Sequence, residues 1–325
     1  MHINNKQKNI LAPIVLIAFN RANHFKQTLS ALAKNKEAKD SMLYICIDGP
    51  RNLEEKKNQK EMCDYVEIIR TQFLNIKIIK QNSNIGLAKN MIQNVTSIVN
   101  KHGKLIVIED DDFVSEAFLK FMNDALTYYE PHKKVWHIAS HTFVNNHEKI
   151  NDVFLHRVMY CWGWATWKDR WSFFEKDPEA LINEFTNEDI RKFNLDDTES
   201  FWSQVLNNYS GHINTWAIFW YATIFKNKGL CMNPFYSYVR NIGHDGSGVH
   251  KNINKKLQDS QVINNDGKFN PQIDIEENFL AVNEIKKYYL NNSSTLKKIA
   301  RSLIILFLNR RLLGRLQNLW YRIRN

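Results

Sequence analysis

The chain has 325 residues, 44% hydrophobic and 12% aromatic, enough apolar material for one large domain or two intimate ones. Such a composition excludes a disordered or disulfide-scaffold chain. The formal charge of +10 suggests nucleic acid, but residues 295–325 hold eight basic and no acidic side chains, leaving residues 1–294 near neutral at +2. Nucleic acid is therefore not expected as a partner.

The N-terminal apolar stretch Ile10–Phe19 is broken by Pro13 and has no small-residue cleavage site, so a signal peptide is not expected. No apolar run reaches the roughly 18 residues that span a bilayer. The four cysteines form no C-x-x-C pair, and Cys46 lies in an apolar run, so reduced thiols and a cytoplasmic setting are expected.

Residues 13–19 read as a buried strand, and 23–35 as a helix with Phe25, Leu29, Leu32 and Ala33 on one face. Residues 42–47 form a second strand, stopped by Asp48-Gly49-Pro50. A helix over 54–73, a strand over 76–80 and a helix from Asn84-Ile85-Gly86 to about residue 100 follow. Residues 104–108 read as a fourth strand, 116–129 as a helix capped by Ser115, and 135–139 as a fifth strand. Strands alternating with helices predict an α/β domain with a largely parallel sheet, whose ligands bind beyond the carboxyl ends of the strands. Three such ends are polar: Asn20-Arg21, Asp48 and Glu109–Asp112.

The second half is aromatic at 160–171 and 202–238, acidic and helical over 175–199, Gly-rich over 240–250, and helical again from 276. The expected division is a first half over 1–150, a second half of the same domain over 151–275, and C-terminal helices over 276–325.

The strongest motif is Glu109-Asp110-Asp111-Asp112, four acids directly after a buried strand. Adjacent carboxylates repel unless a cation sits among them, and hard oxygens suit Mg²⁺ or Mn²⁺. Such an ion could stabilise a departing diphosphate. The plain alternative is a solvated turn ahead of a helix, with Asp112 as a further outer group or simply solvated.

Taken together, Ala12–Arg21, Asn82–Ala88 and Val107–Asp111 resemble GT-A nucleotide-sugar glycosyltransferases, and within them N-acetylglucosaminyltransferase I and its bacterial relatives. Cys161–Trp167 and Asn241–Gly248 resemble the bacterial members. The resemblance implies a Rossmann-like mixed sheet flanked by helices, with an aromatic acceptor half. It implies Mn²⁺ or Mg²⁺ held by Asp111, with Glu109 and Asp110 near ribose or donor sugar; His250, after the Gly-rich loop, could complete the metal shell or touch the diphosphate. It also implies Asp48 on the uracil edge, with Asn20, Arg21, Asn84 and Gly86 around the nucleotide. Without the resemblance, Asp48 reads as the first residue of a turn and Arg21 as an ion-pair partner.

Trp162, Gly163 and Trp164 are expected against donor or acceptor sugar, whereas Trp167 and Trp171 read as core. Related eukaryotic enzymes keep a basic Asp in a Trp-Asp-Asp-Trp stretch. Trp216–Trp220 stands there with Ala217 in the acid's place, so Asp245 and then Glu199 become the candidate bases.

Residues 295–325 place Ile299, Leu303, Leu306 and Leu313 at helical spacing among basic residues, a pattern that reads as a peripheral anchor to anionic membrane or as a packed helix with a solvated face. The expected function is transfer of a sugar from a nucleotide sugar, UDP-linked and with UDP-GlcNAc as one donor, to a glycan or lipid-linked acceptor in bacterial surface polysaccharide synthesis. The rivals are a sugar-nucleotide nucleotidyltransferase, which would bring a Gly-rich phosphate loop near the first strand, and a non-enzymatic basic binding protein.

Overall fold

In a computed structural model, described for residues 11–144, 153–246, 262, 267 and 269–292, the first strand β1 (Ile14–Ala18) is buried at every position. Its side chains alternate between two cores, as strand geometry requires. Ile14, Leu16 and Ala18 face one core, and Val15 and Ile17 face the other.

Helix α1 (Ala22–Ala33) covers the first face with Phe25, Leu29 and Leu32. Strand β2 (Met42–Ile47), helix α2 (Leu53–Ile69), strand β3 (Asn75–Lys80) and helix α3 (Leu87–His102) follow. Gly86 and Gly103 flank α3 at φ 81° and 82°, a left-handed conformation that glycine adopts without a Cβ penalty. Strand β4 (Lys104–Glu109) leads through Asp110-Asp111 into the short β5 (Asp112–Val114) and helix α4 (Phe118–Tyr129).

The expected cap at Ser115 is corrected. The Ser115 hydroxyl is buried without a partner, and the Leu119 amide donates to Asn35 Oδ1 at 2.8 Å, so a distant asparagine supplies the cap.

Strand β6 (Val135–Ala139) matches its expected bounds, whereas β7 (Val153–His156) had no clear sequence signal. Trp164–Trp167, an aromatic run without strand alternation, is strand β8, with the four-residue helix α5 (Lys168–Trp171) behind it. The acidic stretch splits into α6 (Pro178–Glu184) and α7 (Asn187–Phe193). Helices α8 (Trp202–Tyr209) and α9 (Ala217–Lys226) precede β9 (Leu230–Pro234), β10 (Val239–Asn241) and α10 (Phe279–Asn292).

The main sheet has the order β3-β2-β1-β4-β8-β6-β9-β7. Its pairs β1–β2, β2–β3, β1–β4 and β6–β9 are parallel, and β8 runs antiparallel between β4 and β6. The fold is thus the expected α/β class, a mixed sheet with helices packed on both faces. The aromatic half supplies β7, β8 and β9 and so completes the sheet that the first half begins. A separate two-stranded ribbon pairs β5 antiparallel with β10, with Asp112 opposite Asn241.

Candidate active site

The polar carboxyl ends of β1, β2 and β4 lie side by side because those strands are parallel neighbours. Gln59, on α2, ties two of them together by donating to the carbonyls of Phe19 at 3.0 Å and Asp48 at 2.8 Å. The Thr28 hydroxyl on α1 donates to the Asp110 carbonyl at 3.0 Å and anchors the acidic turn.

Arg21 is the centre of charge in this turn. Its guanidinium bonds to the Asp110 carboxylate and reaches Asp111 Oδ2 at 2.8 Å. Burial opposes the Arg21 charge, but the two carboxylates outweigh it and hold the guanidinium more firmly protonated than usual. The Asp110 carboxylate also accepts the Phe19 amide at 3.3 Å. Burial pushes its carboxyl above the ordinary value against the pull of Arg21.

Glu109 and Asp112 are pushed well above theirs, by burial first and by the neighbouring acids next. The expectation that Asp112 is solvated is corrected: it is 0% exposed. Its Oδ2 accepts the amides of Glu109 at 3.0 Å and Gly163 at 3.1 Å, while Oδ1 is buried without a partner. Asp112 therefore cross-links the acidic turn to the start of β8.

The β5–β10 ribbon carries residues 242–246 back over the acids. The Ile242 amide donates to the Asp111 carbonyl at 2.8 Å. A Cβ on Gly243 would fall 2.1 Å from Asp111 Oδ2 and 2.8 Å from Arg21 Nη1, so glycine alone permits this approach. Asp245 is brought to the same side, with its Oδ2 3.0 Å from His24 Nε2 on α1. His24 had no role in the sequence reading, and Gly243 entered it only as part of the 241–248 motif, because the pairing of β5 with β10 is what places them against the acids. His250 lies outside the described residues.

Asp48 is a loop organiser. Oδ1 accepts the amides of Gly49 at 2.8 Å and Ile85 at 2.9 Å, and Oδ2 accepts Gly86 at 2.9 Å and Asn84 Nδ2 at 3.1 Å. Four donors fill the acceptor positions of one carboxylate. The loop lies so close that a Cβ on Gly49 would meet the Ser83 carbonyl carbon at 2.2 Å. Asn84 and Gly86 are thus fixed beside the β2 end, and Phe19, under the Arg51 guanidinium at 5.0 Å, flanks the adjoining β1 end. Asn20 is half-buried there.

The tryptophan segment divides. Trp162 is half-buried, with its ring 4.4 Å from that of His141 and 5.5 Å from that of His244. Trp164 is corrected from a sugar contact to core: it is 0% exposed, stacked on Trp216 at 5.2 Å and His137 at 5.5 Å. Gly163 is buried at φ 55°, and a Cβ there would strike Ser140 Oγ at 2.5 Å, so protein packing rather than a ligand demands the glycine. Trp167 and Trp171 are core, as expected. Trp216–Trp220 enters the buried helix α9 and supplies no carboxylate. Glu199 is half-buried and follows a left-handed turn at 195–197, away from the β4 end in sequence.

Among the described residues no three His, Cys, Asp or Glu side chains surround a common metal position. The acidic turn nonetheless fits a divalent cation, because of its four adjacent carboxyls only Asp110 and Asp111 are in ion-pair contact with a cation, Arg21, among the described residues, and Asp111 is the most exposed of the three aspartates. Asp111 is the residue that would hold such an ion. No described helix is long and apolar enough to cross a membrane. All four cysteines are free, and burial pushes the Cys46 thiol up to about 12.

No family profile and no curated protein matches the sequence. Among solved structures the chain is similar to TarS of S. aureus, at 17% identity over 44% of this chain and TM-score 0.31, and it spans only 24% of that protein. It is similar to a mannosyltransferase from Pyrobaculum calidifontis in complex with GDP-Man and Mn²⁺, at 8% identity over 68% of this chain and 70% of that one, TM-score 0.40. It is also similar to a UDP-glucose pyrophosphorylase complexed with UDP-glucose, at 11% identity over 70% of this chain and 91% of that one, TM-score 0.38. These likenesses are distant, and they include a sugar transferase and a nucleotidyltransferase alike.

Proposed function

We propose that the chain is a divalent-metal-dependent glycosyltransferase that takes a sugar from a nucleotide sugar, UDP-linked, and passes it to a glycan or lipid-linked acceptor hydroxyl. The observation that carries the reading is the surplus of acid at the β4 end. Four adjacent acids, Glu109 to Asp112, stand beside two further polar strand ends, and among the described residues Arg21, which pairs with Asp110 and Asp111, is the one cation in ion-pair contact with them. Asp111, with His250, would hold Mn²⁺ or Mg²⁺, which when bound neutralises charge on the leaving diphosphate. Arg21 lies close enough to share that anion, and fixed donors of this kind act without reorganisation.

Asn20, Asn84 and Gly86 border the nucleotide, Glu109 and Asp110 its ribose or donor sugar, and Trp162 the sugars. With its carboxylate filled, Asp48 serves the nucleotide by holding the 82–86 loop in place. Asp245 is the first candidate to take the acceptor proton and Glu199 the second. The tail at 295–325 would hold the enzyme against an anionic membrane on the cytoplasmic side, which suits a lipid-linked acceptor in surface polysaccharide synthesis. Nucleotidyl transfer is the weaker reading, since only Phe19, Asn20 and Arg21 join β1 to α1, with no glycine loop for a triphosphate.

The test is slow hydrolysis of a panel of nucleotide sugars with and without Mn²⁺, together with calorimetric UDP binding. Asp111→Asn is expected to lower both by at least about a hundredfold while the melting temperature holds. Unchanged metal-dependent UDP binding in Asp111→Asn would overturn the assignment.

A further inference from the structure

An open cleft of about 370 Å³ lies between α1 and the end of β10, lined by Asn23, His24, Gln27, Arg240, Ile242 and Asp245. It adjoins the acidic turn, since Arg21 immediately precedes α1 and Gly243 lies between two of its lining residues. Its chemistry is the reverse of that turn. Arg240 projects from β10 with its guanidinium over the Phe113 ring at 4.7 Å. Its Nε is buried without a hydrogen-bond partner, and among the described residues no carboxylate comes within ion-pair distance of it. A guanidinium fixed on an aromatic face and lacking a counter-ion presents its remaining donors in a planar fork that matches a phosphate.

Two further features favour an anion. The first turn of α1 carries no acidic residue of its own and no side-chain cap, so the positive end of its dipole adds to the attraction for an anion. Asn23 and Gln27 add amide donors on that helix. Asp245 is the one acid of the cleft, and it is engaged by His24 at 3.0 Å.

We propose that this cleft is a second anion site, separate from the acidic turn, that takes a phosphate group of the acceptor, with Arg240 as its main contact and His24, Asn23 and Gln27 beside it. The assignment to the acceptor rests on the glycosyltransferase reading. The anion site itself does not. Two phosphate sources share this chemistry, the nucleotide's diphosphate and a phosphate on the acceptor, and the experiment separates them.

Inorganic phosphate and glycerol 3-phosphate are titrated into the full-length protein by NMR or calorimetry, with Mn²⁺-UDP titrated separately and in competition. Arg240→Gln and the exposed Gln27→Glu are each expected to weaken binding of both phosphate probes at least tenfold. Mn²⁺-UDP affinity should stay within twofold and UDP should not displace phosphate. If Arg240→Gln alters the fold, Gln27→Glu, on the surface of α1, gives the same reading by charge repulsion. The proposal is overturned if wild-type protein shows no saturable phosphate binding, if neither variant weakens it, or if UDP displaces phosphate, which would assign the cleft to the nucleotide. Phosphate binding without turnover of any nucleotide sugar would instead remove the proposed reaction and leave the anion site standing.

Discussion

Two acid-and-arginine clusters in this molecule are built from the same side chains to opposite ends. At the β4 end four carboxyls crowd together and one guanidinium, Arg21, pairs with two of them, Asp110 and Asp111. At the end of α7 one carboxylate, Asp196, receives Lys286 at 2.7 Å, Arg191 at 3.2 Å and Arg157 at 3.5 Å, and Arg157 also reaches Glu277 at 2.8 Å. The second cluster is balanced and closes α7, β7 and α10 on one another. Although burial works against it, the three cations hold the Asp196 carboxyl below its ordinary value, whereas Glu109 and Asp112 are held far above theirs. A cluster that satisfies itself is structural. One that leaves negative charge over is built to receive something positive.

The sharpest way to break that contrast is at Gly243. A methyl group there would sit 2.1 Å from Asp111 Oδ2, so residues 242–246 must lift or the carboxylate must turn. Gly243→Ala is expected to weaken Mn²⁺-dependent UDP binding by about a hundredfold, near 2.7 kcal/mol, with little change in melting temperature. Calorimetry reads it directly. Binding within threefold of wild type would mean that the close approach of the ribbon to Asp111 has no part in the site.

Much of the first half was legible in the sequence, for a physical reason. Its strands are fully buried and parallel, so they read as short apolar runs, and the polar residues that end them stand out. The acidic turn, Arg21 and the loop at Asn84-Gly86 were found in that way. The aromatic half resisted. In Trp164–Trp167 every residue is buried, so the alternation that marks a half-exposed strand is missing and the run reads equally as a turn into a helix. Asp48 was legible as important but not in its task, since its four partners, three backbone amides and the Asn84 side chain, come from the Gly49 and Asn84–Gly86 segments folding around it. Gly243, His24 and Arg240 depend on β5 pairing with β10 across more than a hundred residues, and local pattern carries no trace of that register.

The balanced cluster gives the next effect. Leu195, Asp196 and Asp197 stand at φ 52°, 54° and 65°, a left-handed run that costs about 1–3 kcal/mol per residue and must be held by its contacts. Asp196→Asn tolerates the same backbone but loses the charge that gathers Lys286, Arg191 and Arg157. A loss of about 2 kcal/mol in unfolding free energy is expected, discounted because the side chain is 23% exposed, with Mn²⁺-UDP binding unchanged. Loss of nucleotide binding with stability intact would invert the roles assigned to the two clusters.

Between about pH 4 and 6.5 the acid sensitivity of the fold should come from histidines buried on and beside β6 and β7. Burial lowers His137 and His141 to about 3 and His156 to about 4, so all three are neutral in the folded chain. Unfolded, each titrates near 6.5. Between about pH 4 and 6.5 the unfolded chain therefore binds protons that the folded chain refuses. Stability contributed by these groups is complete above pH 6.5 and is lost as pH falls, at about 1.4 kcal/mol per pH unit for each histidine. His156 is the cleanest to remove, because its ring lies between Phe154 and Tyr160 at 5.4 Å from each. His156→Phe keeps an aromatic ring there and should cut the slope of unfolding free energy against pH by about 1.4 kcal/mol per unit in that window, measured by denaturant titration at several pH values. The same slope in variant and wild type would mean that His156 is protonated inside the fold. The aromatic half would then hold a buried charge, and unbalanced charge would no longer set the β4 end and its neighbouring cleft apart from the packed interior.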